Sequence, residues 1–206
     1  MREKSNPRDP NDFHHDRFTQ ISESHCGPAV IQMLLHNLGI EVTQEEVVEA
    51  GGASDQIEQM GMRVDQLNQA VRRLAPQTCF WYKDHSTIEE LIQIVSKFDY
   101  LVGVEWQGVF EDTLEDETQD ADYGHYSVVT MADSKSQKLV IVDPYKDFHS
   151  QDRIFTFEFF MTRWWDTNDV ADPLTGTNRL VEDLQMMFMI TPKEVNFPSL
   201  LGMKRD

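Results

Sequence analysis

The 206-residue chain has only two cysteines, Cys26 and Cys79, which excludes a disulfide framework. It is also poor in positive charge. Lysine and arginine number 18 against 36 aspartates and glutamates, for a net charge of -18. A surface of that sign repels nucleic acid and anionic membrane, so neither is expected as a partner. It would favour a basic peptide, although acidity also serves solubility alone. No apolar run approaches the ~20 residues that span a bilayer. No apolar core follows the N-terminal Met-Arg-Glu-Lys, so no signal peptide is read and the expected location is the cytoplasm. Internal repeats are absent. Adjacent His14 and His15 lack a third spaced ligand, so no metal site is read from them.

What is present fits a globular protein: 40% of the residues are hydrophobic, and the length suits a single core. Residues 1–16 are polar and charged and read as a mobile N-terminal arm, with 17–206 as one domain. Val30, Ile31, Leu34, Leu35 and Leu38 recur at helical spacing, so a helix runs from Cys26 to Leu38 and stops at Gly39. Thr43 and Glu46 form a capping box for a second helix, which Gly51-Gly52 ends. Val64, Leu67, Val71 and Leu74 mark a third, stopped by Pro76. A fourth covers Ile88 to Phe98, capped by Ser86 or Thr87. Strands are read at Phe80–Tyr82, Tyr100–Trp106, Tyr126–Met131, Lys138–Val142 and Leu184–Ile190, with a helix at Thr156–Trp165. Helices precede strands, so the fold class is α+β with an antiparallel sheet.

Cys26 stands at the start of the first helix, where the dipole favours thiolate, the nucleophilic form. By itself such a cysteine is more often a small core residue. A partner lies downstream. The strands carrying His125 and ending at Asp143 are joined by the polar turn Asp133–Gln137, which predicts an antiparallel hairpin. His125 opens one strand and Asp143 closes the other, so imidazole and carboxylate meet at one end of the sheet. A base and its orienting partner need that arrangement. Taken singly, His125 reads equally as a structural histidine, and Asp143-Pro144 as a turn opener. The order Cys, His, Asp makes coincidence less plausible.

Gln20, Cys26-Gly27-Pro28-Ala29, Gly124-His125-Tyr126 and Val142-Asp143-Pro144 together resemble the C39-like branch of papain-like cysteine peptidases. The resemblance runs from about Arg17 to about Trp165. It implies a papain-like fold, with N-terminal helices packed on a C-terminal antiparallel sheet. It makes Cys26 the nucleophile, His125 the base and later acid, and Asp143 the residue that orients the imidazole. Gln20 would join the backbone N–H of Cys26 in an oxyanion hole, and Gly27, Gly124, Tyr126 and Trp106 would line the substrate groove. The implied reaction is cleavage of a peptide bond through an acyl-enzyme, without cofactor, on a peptide or protein substrate. The same residues would also serve a transamidase or deamidase, or persist in a catalytically silent peptide-binding relative.

Exporter-linked members usually carry aspartate immediately before the cysteine, whereas this chain has His25. The change points to the stand-alone bacterial members, and His25 itself reads as a surface residue. Cys79, within Thr78–Tyr82, reads as a buried structural cysteine. The segment 111–122, seven of whose twelve residues are acidic, precedes His125. It could select a basic side chain or simply be a solvated loop; its spacing does not match an EF-hand.

Overall fold

A computed structural model describes residues 16–110, 124–148, 151–171 and 177–205. The chain begins with α1 (Cys26–His36), α2 (Gln44–Gly51), α3 (Ile57–Met60) and α4 (Val64–Leu74), then enters β1 (Thr78–Lys83). Helix α5 (Ile88–Ile92) runs into a π turn, Gln93–Lys97, followed by β2 (Val102–Gln107), β3 (Gly124–Asp133) and β4 (Lys138–Val142). The remainder comprises β5 (Arg153–Thr156), α6 (Phe157–Arg163), β6 (Trp165–Ala171), β7 (Asn178–Leu184), β8 (Met187–Pro192) and α7 (Phe197–Leu200).

Six strands form one sheet in the order β1-β8-β2-β3-β4-β5, with every neighbouring pair antiparallel. The last strand is inserted beside β2, so the chain end closes the middle of the sheet. One face carries α1, α2 and α4. There Ile31, Leu35, Leu67 and Val71 pack against Phe80, Tyr126, Val128, Val142 and Phe188. The other face carries α5, the π turn and α6, with Leu91, Ile94, Phe160 and Trp164 packed on Trp81, Val104, Trp106, Leu139 and Ile141. Both faces are covered, so β2 is buried at all six positions rather than alternating.

The α+β reading and its helix-then-strand order describe this architecture. Local signals explain the helix ends. Thr43 accepts from the Glu46 N–H at 3.2 Å while Glu46 accepts from the Thr43 N–H at 2.8 Å. Thr87, not Ser86, caps α5, since its hydroxyl accepts from the Glu90 N–H. The Ser86 hydroxyl instead donates to the Lys83 carbonyl.

The helix expected at Thr156–Trp165 is present as α6, but its flanks, 153–156 and 165–184, depart from the sequence reading. The structure adds an edge strand, β5, and a separate hairpin of β6 and β7. The hairpin strands carry Asp166, Asp183, Glu182 and Arg179 among few apolar residues, so no period-two pattern marks them. The final strand begins at Met187 rather than Leu184, because Leu184 still belongs to β7.

The hairpin covers a polar patch on β2. Gln107 donates to the Asp166 carboxylate at 3.0 Å, and Asn168 donates to Asp183 at 2.9 Å. Glu105, 1% exposed, accepts from the Tyr126 hydroxyl at 2.5 Å, while its second oxygen is buried without a hydrogen-bond partner. Burial pushes the Glu105 carboxyl up to about 7; the Tyr126 hydroxyl opposes that rise, and the charge of Asp183 adds to it. An unfolded glutamate ionises near 4.5, so folding retains a proton that the unfolded chain releases as pH rises between 4.5 and about 7. Stability therefore falls across that window. Glu105→Gln should remove the fall, leaving stability unchanged at pH 4 and raising it by about 3 kcal/mol at pH 8 in urea denaturation. Equal pH dependence in both proteins would contradict this account.

Candidate active site

Helix α1 starts without a side-chain cap and without an acidic residue in its first turn. The His25 carbonyl accepts the first helical bond, from the Ala29 N–H at 3.0 Å. The backbone N–H groups of Cys26 and Gly27 have no intrahelical partner, and they carry the positive end of the helix dipole. Cys26 is 8% exposed, at the edge of the core.

The segment before it is tightly sewn. The Gln20 backbone N–H donates to the Pro144 carbonyl at 2.8 Å, which ties this segment to the residue after Asp143. The Gln20 amide donates to the Ser22 carbonyl at 2.8 Å, and the His25 N–H reaches the same oxygen at 3.2 Å. That bond takes one amide hydrogen and leaves the second N–H for another acceptor. The Ser22 hydroxyl pairs with His25 Nδ1 at 2.7 Å and lies 3.3 Å from Glu58. His25 is therefore buried, contrary to the expectation of a surface residue, because Ser22 supplies the polar partner its ring needs. From α2, Gln44 accepts from the Ile21 N–H and donates to the Thr19 carbonyl. An exposed Glu23–Lys146 pair at 2.9 Å joins the same two loops.

Strands β3 and β4 pair antiparallel with a register shift between Val129 and Met131. At their shared end His125 Nε2 and Asp143 Oδ1 are 2.8 Å apart, and both residues are buried. With Nε2 occupied, Nδ1 is the ring nitrogen left for the thiol. Asp143 also accepts from the Tyr145 N–H at 3.0 Å and from Arg153 at 2.7 Å. Burial alone would lower the His125 pKa, but the charge and hydrogen bond of Asp143, with a further hydrogen bond and charge from Cys26, carry it up to about 10. Burial alone would raise Asp143; His125, the Tyr145 N–H and Arg153 hold it down at about 2. The Phe110 ring stands edge-on to His125 at 5.1 Å and to Tyr145 at 4.9 Å. Gly108 makes that approach possible, since a Cβ there would lie 2.5 Å from the Phe110 ring.

The structure thus gathers Gln20, Cys26, His125 and Asp143 around one sheet end, but not every expected groove residue. Trp106 is fully buried under α6, where its indole N–H donates to Ser127 at 3.1 Å, so it lines no groove. Packing decides this: Trp106 lies opposite His125 in the β2–β3 register, but Phe155 and Phe160 close over its ring. Tyr126 is also buried, its ring close beneath Gly27 and its hydroxyl bonded to Glu105. Gly27 is a packing glycine, since a Cβ would come within 3.3 Å of Leu67 and Tyr126. Gly124 is exposed, with the Asp166 carboxylate where a Cβ would stand. Cys79 is half-buried, and Arg205 approaches its sulfur at 3.8 Å. The acidic segment 111–122, His14, His15 and nearly all of the arm lie outside the described residues. Among the described residues no group of three or more His, Cys, Asp and Glu could hold a metal ion. None has a helix long and apolar enough to cross a membrane.

Three residues at the site carry no sequence signal of their own. Ser22 sits inside the Gln–Cys motif but is one serine of two. Phe110 adjoins the acidic run, and Arg153 lies ten residues past Asp143 on a strand that the sequence did not reveal.

The model of the Peptidase_C39 like family matches residues 14–172. The chain belongs to that family. Solved structures agree on the C39 fold. The peptidase domain of Streptococcus ComA, a bi-functional ABC transporter involved in quorum sensing, is 17% identical with a TM-score of 0.56, over 87% of this chain and 100% of that one. A candidate C39-like peptidase from Bacillus anthracis is 19% identical with a TM-score of 0.55, over 85% and 94%. A double-glycine motif protease from an AMS/PCAT transporter, solved with its leader peptide, is 16% identical with a TM-score of 0.51, over 86% and 91%. No curated protein matches. The α+β assignment is therefore the C39 papain-like fold.

The paired charges of this C39-like site predict a pH signature. His125 is raised, so its contribution to stability is whole below 6.5 and fades as pH rises through about 10. Asp143 is lowered, so its contribution is whole above 3.8 and fades as pH falls through about 2. The pair stabilises fully between those limits. Asp143→Ala leaves Arg153 and His125 without their buried partner and should cost about 3 kcal/mol at pH 5.5. It should also flatten both edges in urea denaturation followed from pH 2 to 10.

Proposed function

We propose that the protein is a cysteine peptidase or amidase that works by acyl transfer through Cys26, His125 and Asp143. The observation that carries this reading is the buried His125–Asp143 bond beside the thiol at the mouth of α1, with Cys26 and Asp143 acting on one imidazole. A histidine held cationic beside a thiol favours a thiolate–imidazolium pair. The Cys26 sulfur attacks the amide carbonyl carbon. Negative charge then grows on the former carbonyl oxygen, which the Cys26 N–H and the second Gln20 amide N–H stabilise. His125 passes its proton to the leaving amine as the C–N bond breaks, giving a thioester. His125 next takes a proton from water, which attacks the thioester and restores the thiolate. Asp143 fixes the ring and its charge throughout.

The substrate in this reading is a peptide, with basic side chains favoured. The net charge of -18 supports that preference, because an acidic surface attracts cationic ligands. The complete set of four residues favours an active enzyme over a silent peptide binder.

Iodoacetamide labelling from pH 5 to 9, mapped by mass spectrometry, tests the reading. Cys26 should react about a hundredfold faster than Cys79, and His125→Ala should remove most of that advantage. Slow, equal labelling of both cysteines would end the proposal. With a substrate from a peptide library, Gln20→Ala should lower kcat by roughly 10²- to 10³-fold with the labelling advantage retained. Cleavage indifferent to Lys and Arg near the scissile bond would remove the basic preference alone.

A further inference from the structure

Arg153 reaches the site from β5, the outer strand of the sheet. One guanidinium nitrogen donates to Asp143 Oδ2 at 2.7 Å, on the oxygen that His125 leaves free. Another donates to the Val109 carbonyl at 2.6 Å, at the root of the segment that lays Phe110 against His125. Its guanidinium carbon lies over the Phe148 ring, 3.7 Å from the centroid. The Arg153 side chain is 11% exposed and the Asp143 side chain 0%, so water screens this pair poorly.

We propose that Arg153 is a positioning residue for the Cys26 site, a fourth charge that acts through Asp143 to set the pH range over which the imidazole stays paired with the thiol. This rests on the cysteine-peptidase reading above. The geometry is specific. A carboxylate with one oxygen on imidazole and the other on guanidinium cannot rotate without breaking a charge-assisted bond. The bond to the Val109 carbonyl couples the same side chain to the aromatic cover of His125. A lysine could supply the charge but not the planar fork that serves both acceptors.

Among the described residues the charges around Asp143 are few. His125 faces it from β3, Arg153 from β5, and Cys26 lies beyond the imidazole on α1. The neighbouring Arg17–Asp152 and Glu23–Lys146 pairs are satisfied among themselves. Removing the guanidinium takes a positive charge from the cluster. Asp143 then binds its proton more readily, and once protonated it no longer holds the imidazolium beside the thiol, so the acid limb of Cys26 alkylation moves up in pH. The imidazolium meets a less neutralised carboxylate, so the alkaline limb moves up as well.

The test is the pH profile of Cys26 alkylation by iodoacetamide on the full chain, for wild type and for Arg153→Met, Arg153→Lys, Asp143→Asn and the double variant Asp143→Asn/Arg153→Met. Arg153→Met should move both limbs upward by about half a unit or more. Arg153→Lys should return them most of the way, and Arg153→Met should shift nothing further in the Asp143→Asn background. Far-UV circular dichroism checks folding. If Arg153→Met does not fold, Arg153→Gln replaces it and must show the same shift. Unmoved limbs in a folded variant overturn the proposal and leave the peptidase reading standing, provided wild-type Cys26 still outpaces Cys79. A shift that persists in the Asp143→Asn background overturns it too, because Arg153 would then act on the thiol directly. Wild-type Cys26 no faster than Cys79 overturns both.

Discussion

A carboxylate buried at the end of β4 is the constraint on which the site depends. Asp143 is 1% exposed, and an ionised group so placed is tolerated only when donors surround it. His125, the Tyr145 N–H and Arg153 do so, each from a different part of the chain. Satisfying that one charge therefore demands that β3, β4, β5 and the loop after β4 meet with little tolerance. The antiparallel register of β3 and β4 brings the imidazole to the carboxylate, and the pairing of β5 with β4 brings the guanidinium.

The second requirement is that α1 point its N-terminus at the same place. Its apolar residues fix its face on the sheet, beside Tyr126 and Val128. The approach is close because Gly27 lets the Tyr126 ring slide beneath the first turn. The residues ahead of the helix are held by polar bonds rather than by packing. Ser22 receives Gln20 and His25, and Gln20 is anchored to the carbonyl beside Asp143. Thiol, Gln20 segment and carboxylate are thus connected mechanically as well as electrostatically.

A different compromise lies beneath Tyr126. Glu105 and the polar inner side of the β6–β7 hairpin fill a space that the rest of the sheet fills with hydrocarbon. A carboxyl with one bonded oxygen and one buried without a partner is destabilising when ionised. It persists here because protonation is cheaper than desolvated charge, and because the hairpin gains polar contacts with Glu105 and Gln107.

Much was legible in the chain itself. Helical periodicity located α1 and α4, a capping box located α2, a cap at Ser86 or Thr87 located α5, and extended apolar runs located β2, β3 and β4. Those patterns are local and survive any tertiary context. Cys26, His125 and Asp143 were legible as candidates because they sit at the edges of such elements, where backbone donors and side chains are free to act, whereas Gln20 was legible only through the family resemblance. The rest depended on distance in space. Trp106 reads as a groove residue until Phe155 and Phe160 close over its ring, and His25 reads as exposed until Ser22 supplies its partner. Arg153 is anonymous until β5 lies beside β4. The sequence by itself determined which groups can do thiol chemistry and where the chain is helical or extended. Tertiary structure alone decided which charges face the same buried carboxylate, because register and burial, not local pattern, set the distances and the dielectric that give those groups their effect.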